Sequence, residues 1–199
     1  MFFCQNNEKL FHNIRLIQDA NIIDLHLDLI AGLPYEGLKE FRKSFDDVFA
    51  LRPEQLQLGF LKVLKGSYMY ENRESYGLVY RSEPPYEVLS TNWLSYGEMI
   101  RLKGIEQMVE LYYNSHQYDR TLKEVFREEK SAFGFFESFA DDYRKNGHHM
   151  VNHSRKDKYY ILKEFLDAAS LVCDGHAIDG LETFIAINLL KNTKKWIIF

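Results

Sequence analysis

Cysteine is scarce in this sequence, because the 199 residues include only Cys4 and Cys173. Two cysteines so far apart form neither a disulfide framework nor a thiolate metal site, so we expect a protein of a reducing, cytoplasmic setting. Long apolar runs are also missing, since no segment approaches the ~20 residues that span a bilayer. The N-terminal residues show no basic region followed by an apolar stretch, and we expect no membrane partner.

A surplus of positive charge is absent as well. The chain has 25 lysines and arginines against 29 aspartates and glutamates, for a formal net charge of -4. This balance excludes the large basic surface that neutralises phosphate backbones, so nucleic acid is not an expected partner. What the sequence does contain is apolar: 46% of its residues are hydrophobic, and 15% are aromatic. This content predicts a folded chain with a substantial core.

The first third of the chain alternates helix and strand patterns. Residues 7–20 carry apolar side chains at helical spacing, and residues 36–51 repeat that pattern before Pro53. Residues 22–30 and 55–64 instead alternate apolar with polar side chains, which is the period of a strand. The order predicts parallel strands joined by a right-handed crossover. Because a parallel sheet needs cover on both faces, we expect this segment to belong to a larger fold.

The character of the sequence changes after the second strand. Residues 67–92 contain Pro84, Pro85 and several tyrosines, which predicts an irregular connecting segment. Helical patterns then take over. We therefore predict an α/β segment with parallel strands followed by a mainly α-helical domain, with limits at residues 1–66, 67–92 and 93–199.

Capping signals and apolar spacing predict the helices of this domain. Ser95 and Glu98 have the spacing of a capping box, as do Ser154 and Asp157, and Gly147 is expected to end a helix. The predicted helices run from Ser95 to about Asn114, from Arg120 to Glu129, from Ser131 to Gly147, from Ser154 to Ala169, and through Ile178, Leu181, Ile185 and Leu189, with the tail WIIF as a short strand.

The loop after the first predicted strand reads AGLP, residues 31–34. Ligands bind at the carboxyl ends of parallel strands, where Gly32 would permit close backbone approach and Pro34 would shape the turn. From the residues alone, an ordinary strand-to-helix turn is the simpler interpretation of so short a motif, and a ligand-binding loop is the alternative.

The segment from Asp28 to Glu36, DLIAGLPYE, resembles the late-barrel segment DLI-x-GLP-x-E/Q of radical S-adenosylmethionine (SAM) enzymes, including the anaerobic coproporphyrinogen oxidases. The run from Phe60 to Tyr70 resembles the next barrel strand of those enzymes, with Lys-Gly-Ser in place of their Pro-Gly-Thr. The resemblance extends over about residues 7–145 and implies the last strands of a radical SAM barrel.

A third segment resembles one branch of these enzymes. Residues 93–115, WLSYGEMIRLKGIEQMVELYYNS, are similar to the helical C-terminal domain of the cobalamin-binding branch, many of whose members are labelled magnesium-protoporphyrin monomethyl ester oxidative cyclase-like. For the parent enzyme the resemblance implies SAM, a [4Fe–4S] cluster and cobalamin as cofactors.

The resemblance also implies a set of cofactor-binding residues. Asp28, Ile30, Ala31, Gly32 and Pro34 would lie beside the adenosyl group of SAM, mostly through backbone and apolar contacts. Gly32 is expected to act through backbone approach to SAM rather than through fold stability. Neither a catalytic residue nor a metal ligand follows from the resemblance.

The cysteine motif CxxxCxxC of radical SAM enzymes occurs nowhere in the sequence, so this chain alone should hold no [4Fe–4S] cluster. The resemblance therefore implies a C-terminal fragment that is inactive alone. Its expected partners are the N-terminal part of the parent barrel and an unknown small-molecule substrate, and its uncovered apolar faces predict self-association. The alternative is a non-catalytic helical module for protein interaction.

Two groups of possible metal ligands have competing interpretations. Asp24, His26 and Asp28 share one strand face, which we interpret as the polar interior of a barrel in preference to a metal site. A second group follows Gly147, and we interpret it as a polar interhelical loop in preference to a structural metal site. Its members are His148, His149 and His153.

An aromatic group precedes Gly147, and its helical spacing predicts core packing rather than a ligand surface. Its members are Phe133, Phe135, Phe136, Phe139 and Tyr143. Cys173 and His176 form no recognisable nucleophile or zinc pattern.

Overall fold

The computed structural model describes residues 7–20 and 22–169. Its elements are, in chain order, α1 (Asn7–Ala20), β1 (His26–Ala31), α2 (Leu38–Phe49), β2 (Gln55–Phe60), α3 (Tyr68–Glu71), β3 (Val79–Tyr80), β4 (Val88–Ser90), α4 (Tyr96–Met108), a π turn (Val109–Tyr113), α5 (Asp119–Glu128), α6 (Ala132–Lys145), a 3-10 turn (His148–Met150) and α7 (Arg155–Ala168). The chain divides into two compact units between Glu106 and Gln107. The fold is an α/β segment with parallel strands followed by helices, as predicted.

Strands β1 and β2 pair in parallel, which confirms the prediction from the helix and strand order. The register runs from His26 opposite Gln55 to Ala31 opposite Phe60. Just beyond the paired residues, the Leu61 N–H donates to the Ala31 carbonyl at 2.9 Å. The two strands therefore end side by side at their carboxyl ends, which is the edge where α/β units bind ligands.

The first strand begins later than the sequence predicts. Ile22 and Ile23 were assigned to it by alternation, yet their side chains are 82% and 63% exposed and lie before β1. The Leu25 N–H donates to the carboxylate of Glu54 at 2.7 Å. A side chain thus takes the place of a neighbouring strand at that backbone position, and regular pairing starts at His26.

The apolar face of the strand pair lies in the core of the first unit. Leu56, Leu58 and Phe60 are buried along β2, as their alternation predicts. Helix α2 contacts β1 and buries three phenylalanines spaced four residues apart, Phe41, Phe45 and Phe49. The helix is shorter than predicted because Gly37 forms its N-cap, with the Gly37 N–H donating to the Glu40 carboxylate at 3.2 Å.

The segment after β2 is irregular but tied to the strand pair. The Val63 N–H donates to the Tyr86 carbonyl at 2.9 Å, and the Val88 N–H donates to the Leu61 carbonyl at 2.8 Å. Strands β3 and β4 pair antiparallel across this segment. The connections bring Val88, which is fully buried, back to the carboxyl end of β1.

Helix α4 begins at the predicted capping box. The Ser95 N–H and hydroxyl both donate to the Glu98 carboxylate at 2.7 Å, and the Glu98 N–H donates to the Ser95 hydroxyl oxygen at 3.3 Å. The six positions of its predicted apolar stripe are all buried: Met99, Leu102, Ile105, Met108, Val109 and Tyr112. The predicted single helix to Asn114 ends differently, because its last turn widens to a π turn.

We predict that Ser95→Ala lowers the free energy of unfolding by about 1 kcal/mol at neutral pH. Bonds from the Ser95 hydroxyl and N–H hold the pKa of Glu98 below its ordinary value. The Glu98 carboxylate contributes its full stabilisation above the ordinary pKa of the unfolded chain. This contribution is lost as the pH falls through the lower pKa that Glu98 has in the folded protein. The difference between wild type and variant in urea unfolding should therefore shrink in acid. In a Glu98→Gln background that pH dependence should disappear, and its persistence would contradict the assignment.

The second unit, as far as residue 169, is helical and has an aromatic core. Helices α5, α6 and α7 lie within a residue or two of their predicted limits. Gly147 ends α6 with φ of 74°, and Ser154 caps α7 by accepting from the Asp157 N–H at 3.2 Å. Every member of the predicted aromatic group is buried, which confirms that it is core: Phe133, Phe135, Phe136, Phe139 and Tyr143.

Three predictions concern features beyond this description. The last predicted helix, the WIIF tail and the pair Cys173 and His176 lie outside the described residues. The predicted limits of the α/β segment at residue 66 and of the connecting segment at residue 92 stay predictions. No helix within residues 7–20 and 22–169 is long and apolar enough to cross a bilayer.

Candidate functional site

The candidate site begins with the face of β1 that points away from the core. His26 and Asp28 are exposed, and Ile30 is 46% exposed, whereas Leu27 and Leu29 between them are half-buried. On β2, Gln57 stands opposite Asp28 and is exposed in the same way. We call this the polar strand face, defined as His26, Asp28, Ile30, Gln55, Gln57 and Gly59. It can offer a ligand a carboxylate, an imidazole and amide groups.

The loop at the carboxyl end of β1 folds back on its own unit. Gly32 is buried, with φ of +91°, a conformation that L side chains rarely adopt. A Cβ atom on Gly32 would lie 2.6 Å from Cγ1 of Val88. The glycine is therefore required by packing against β4, quite apart from any ligand.

The structure separates the five sequence-predicted site residues into two groups. Asp28 and Ile30 are accessible on the polar strand face, and Pro34 is half-buried in the loop. Ala31 is 1% exposed and Gly32 is buried, so both are enclosed by the chain itself. The expectation that Gly32 matters through backbone approach to SAM rather than through fold stability stays a prediction, and the Val88 side chain that fills the space beside Gly32 argues against it. Contact of the five residues with a cofactor stays a prediction.

Glu36 lies at the end of the same loop, and the sequence predicts no binding role for it. Burial raises the pKa of Glu36, opposed by a bond from the Ser44 hydroxyl, which donates to its carboxylate at 3.4 Å. A half-buried carboxyl group at the carboxyl end of a parallel strand can hold its proton to higher pH than an exposed one. In the sequence, the only feature that pointed to Glu36 as a site residue was its place at the end of the motif GLPYE.

An aromatic cluster beside this loop was missed by sequence reasoning. It joins four side chains from four segments of the first unit: Tyr35, Tyr68, Tyr76 and Trp93. The centroids of the Tyr35 and Trp93 rings are 4.7 Å apart, and those of Tyr35 and Tyr76 are 6.0 Å apart. These residues are scattered along the chain without any period, so no local pattern could have identified the cluster.

The hydroxyl groups of the cluster also meet. The hydroxyl oxygens of Tyr68 and Tyr76 are 3.1 Å apart, and Tyr35 hydrogen-bonds to Tyr76 as well. The bond with Tyr68, with burial and the neighbouring tyrosines, raises the pKa of Tyr76 to about 12. Tyr76 therefore loses its proton only at more alkaline pH than an ordinary tyrosine.

Tyr35 holds its place in the cluster with an unusual backbone. Its φ is 68°, in the left-handed region, where a bulky L residue is strained by about 1–3 kcal/mol. Asparagine or glycine would occupy such a position with less strain. The strained residue lies two positions beyond Leu33, at the carboxyl end of β1.

Neither group of possible metal ligands is gathered into a metal site in the part of the chain that the structure describes. No group of three His, Cys, Asp or Glu side chains that could hold an ion occurs among residues 7–20 and 22–169. His153 pairs through Nε2 with the His148 carbonyl at 2.9 Å, and both rings pack against Tyr143. The loop interpretation fits this packing, with a short 3-10 turn in place of an irregular loop.

Most of the chain matches a described protein family. Residues 74–197 match the family described as "Protein of unknown function (DUF4080)". The chain belongs to this family. The match includes the connecting segment from Glu74, helix α4 and the helical unit, so the family's sequence pattern is carried by the C-terminal part of the chain rather than by β1 and β2.

This family member also resembles a curated bacterial protein. It is 34% identical over 76 residues to the "Oxygen-independent coproporphyrinogen-III oxidase-like protein HemZ" of Bacillus subtilis (strain 168). The matched residues are 38% of this chain and 15% of that relative, so the chain spans a small part of its length. The similarity supports the coarser part of the resemblance, a region related to radical SAM enzymes of the coproporphyrinogen oxidase group.

Proposed function

We propose that this chain supplies the last strands of a radical SAM barrel and the helical domain that follows it, in an enzyme that binds SAM at the carboxyl ends of those strands. The observation that carries the proposal is the parallel pair β1 and β2, joined by α2, with DLIAGLP at the carboxyl end of β1. The similarity to an oxygen-independent coproporphyrinogen-III oxidase-like protein supports it.

The two faces of the strand pair support a place in a barrel wall. In an α/β barrel, helices cover one face of each strand and the other face points to the interior. Here α2 contacts β1 and the apolar face is buried, whereas the polar strand face remains accessible. In the proposed enzyme Asp28 and Ile30 lie on the interior side, toward SAM and the substrate.

The residues present fit SAM in part and do not fit the iron–sulfur cluster. Asp28, Ile30 and the backbone of the loop around Pro34 are accessible to a ligand, whereas the Cβ side of Gly32 is closed by Val88. A [4Fe–4S] cluster needs several cysteine thiolates, and the chain has two distant cysteines and no CxxxCxxC. The cluster would have to be held by another part of the enzyme. SAM would then supply the reactive group, and this chain would position it.

The finer assignment within radical SAM enzymes is also part of the proposal. We place the enzyme in the cobalamin-binding, oxidative cyclase-like branch because residues 93–115 resemble the helical domain of that branch. These residues lie inside the family match at residues 74–197. The substrate is left open by this assignment.

The proposal names a partner for the strand pair. Among the described residues, β1 pairs with β2 alone within its sheet, which leaves one edge of β1 for a further strand. In the intact enzyme the N-terminal part of the barrel would occupy that edge. The chain by itself should self-associate through this edge rather than through the apolar strand face that the sequence predicts to be uncovered, because that face is buried at Leu56, Leu58 and Phe60.

The experiment compares this chain with the product of the complete reading frame that contains it, after anaerobic reconstitution with iron and sulfide. We expect the 199-residue chain to stay colourless and the complete product to bind iron, show a visible cluster absorption band and release deoxyadenosine from SAM under reduction. Asp28→Asn and Ile30→Ala in the complete product should weaken SAM binding. A reading frame without CxxxCxxC, or stoichiometric iron in the chain alone, would refute the proposal.

A further inference from the structure

The aromatic cluster of Tyr35, Tyr68, Tyr76 and Trp93 is not part of the function proposed above. Tyr76 and Trp93 are half-buried and form its base, with ring centroids 6.1 Å apart. Tyr35 and Tyr68 sit at the rim, where their side chains are 56% and 58% exposed. The cluster is thus anchored in the first unit while two of its rings remain accessible.

The exposed rings of Tyr35 and Tyr68 are not explained by core packing, because a packed core would bury them. Single exposed aromatic side chains are ordinary, but here two exposed rings share a half-buried aromatic base. Tyr35 is held there with φ of 68°, a strained backbone for a tyrosine. Strained residues of this kind concentrate at ligand-binding sites, where the surrounding structure holds them in place. The strain and the ring cluster are independent observations on the same residue.

The location adds a third observation. Tyr35 follows directly on AGLP, at the carboxyl end of β1, and Tyr68 begins α3, shortly after β2. The two exposed rings therefore belong to the segments that leave two adjacent parallel strands on the edge where α/β units bind small molecules.

We propose that Tyr35 and Tyr68 form a stacking site for a small molecule with a planar conjugated ring that carries a hydrogen-bonding group on its edge. The ring faces supply dispersion and quadrupole contacts that favour flat, conjugated partners. The hydroxyl groups of Tyr35, Tyr68 and Tyr76, which lie together, supply donors and acceptors for the polar edge. All four residues belong to this chain, so the proposal does not depend on the radical SAM assignment.

The test uses the full 199-residue chain and two matched probes. Naphthol has a planar conjugated ring system with one hydroxyl group, and decahydronaphthol has the same skeleton and hydroxyl group but is saturated and puckered. We expect naphthol to bind and decahydronaphthol to bind at least about threefold more weakly in ligand-detected NMR titrations, as aromatic contacts of this size imply.

Two variants and one control assign the binding to the cluster. Tyr35→Asn removes a ring and places a residue that tolerates positive φ, so the fold should be kept while naphthol affinity falls about three- to tenfold. Tyr68→Ala should weaken binding to a similar extent. Tyr160→Ala removes a tyrosine of comparable exposure, 49%, from α7 and should leave the affinity unchanged.

Several results would overturn the proposal. These are absence of naphthol binding up to its solubility limit, equal affinity for decahydronaphthol, or equal weakening by Tyr160→Ala. Tyrosine faces also attract cations. If tetraethylammonium displaces naphthol at a lower concentration than uncharged aromatic competitors do, the cluster is a site for an organic cation and the proposal is wrong. Retained affinity in the double variant of Tyr35 and Tyr68 would count equally against it.

Discussion

Gly32→Ala is expected to lower the free energy of unfolding of the chain by about 2 to 4 kcal/mol. Two costs add at this position. With φ of +91°, an alanine would be strained, and its Cβ would lie 2.6 Å from Cγ1 of Val88, which is fully buried. Chemical denaturation followed by circular dichroism measures the loss.

Gly66 provides a matched control for the second cost. It also has positive φ, +77°, but no atom lies within 4 Å of the place where its Cβ would be. Gly66→Ala should therefore cost only about 1 kcal/mol, the price of the backbone conformation alone. Val88 is fully buried, so Val88→Ala has a cost of its own, but the double variant should lose less stability than the sum of the two single variants, because Val88→Ala removes the clashing methyl group. Equal losses for the two glycines would show that Val88 is not the cause.

The contact predicted for a Cβ atom on Gly32 makes Gly32→Ala a poor test of cofactor binding. A weakened ligand affinity of Gly32→Ala could arise from a distorted loop, since the substitution acts on packing. Ile30, which is 46% exposed on the polar strand face, is the better position for a binding test. Its replacement by alanine removes accessible surface and leaves the contact between Gly32 and Val88 intact.

Phe139→Ala is expected to cost about 3 to 5 kcal/mol of stability, the usual range for a large core aromatic. Phe139 is fully buried, and its ring centroid lies 4.7 Å from those of both Tyr112 and Phe165. The substitution leaves a cavity between the π turn, α6 and α7. The thermal midpoint and the near-ultraviolet circular dichroism of the chain should both report the loss.

Phe139→Leu and Tyr160→Ala are the matched controls for that experiment. Leucine keeps most of the buried volume and should cost clearly less than alanine. Tyr160 is 49% exposed on the neighbouring turn of α7, so its removal should change stability by only about 0.5 kcal/mol. A loss for Phe139→Ala as small as that for Tyr160→Ala would mean that this aromatic group is not the core of the helical unit.

The local elements of this protein could be predicted from sequence because their signals are local. Ser95 and Glu98, three residues apart, form the capping box that their spacing predicts. Leu56, Leu58 and Phe60 are buried on alternate positions, as a strand requires. The less accurate limits also have local causes, such as the Glu54 carboxylate that binds the Leu25 N–H before β1 begins.

The candidate site was less predictable than the fold. The resemblance of DLIAGLPYE predicted a cofactor contact at the loop after β1, but it treated Gly32 as a place of ligand approach and gave Tyr35 no role. The structure shows that Gly32 packs against Val88 and that the Tyr35 ring lies 4.7 Å from Trp93. Both partners are far away in sequence, so neither contact leaves a periodic signal.

By itself, the sequence determined helices α1, α2 and α4 to α7, the parallel strands, the aromatic core of the second unit and the absence of a cysteine motif for a [4Fe–4S] cluster. Each of these depends on residue type or on spacing within one or two turns of helix or strand. Only the tertiary structure decided which side of Gly32 is closed, which face of β1 is accessible and that four distant aromatic residues meet. The physical reason is that these features arise from contacts between segments, and close packing in three dimensions has no counterpart in the local order of residues.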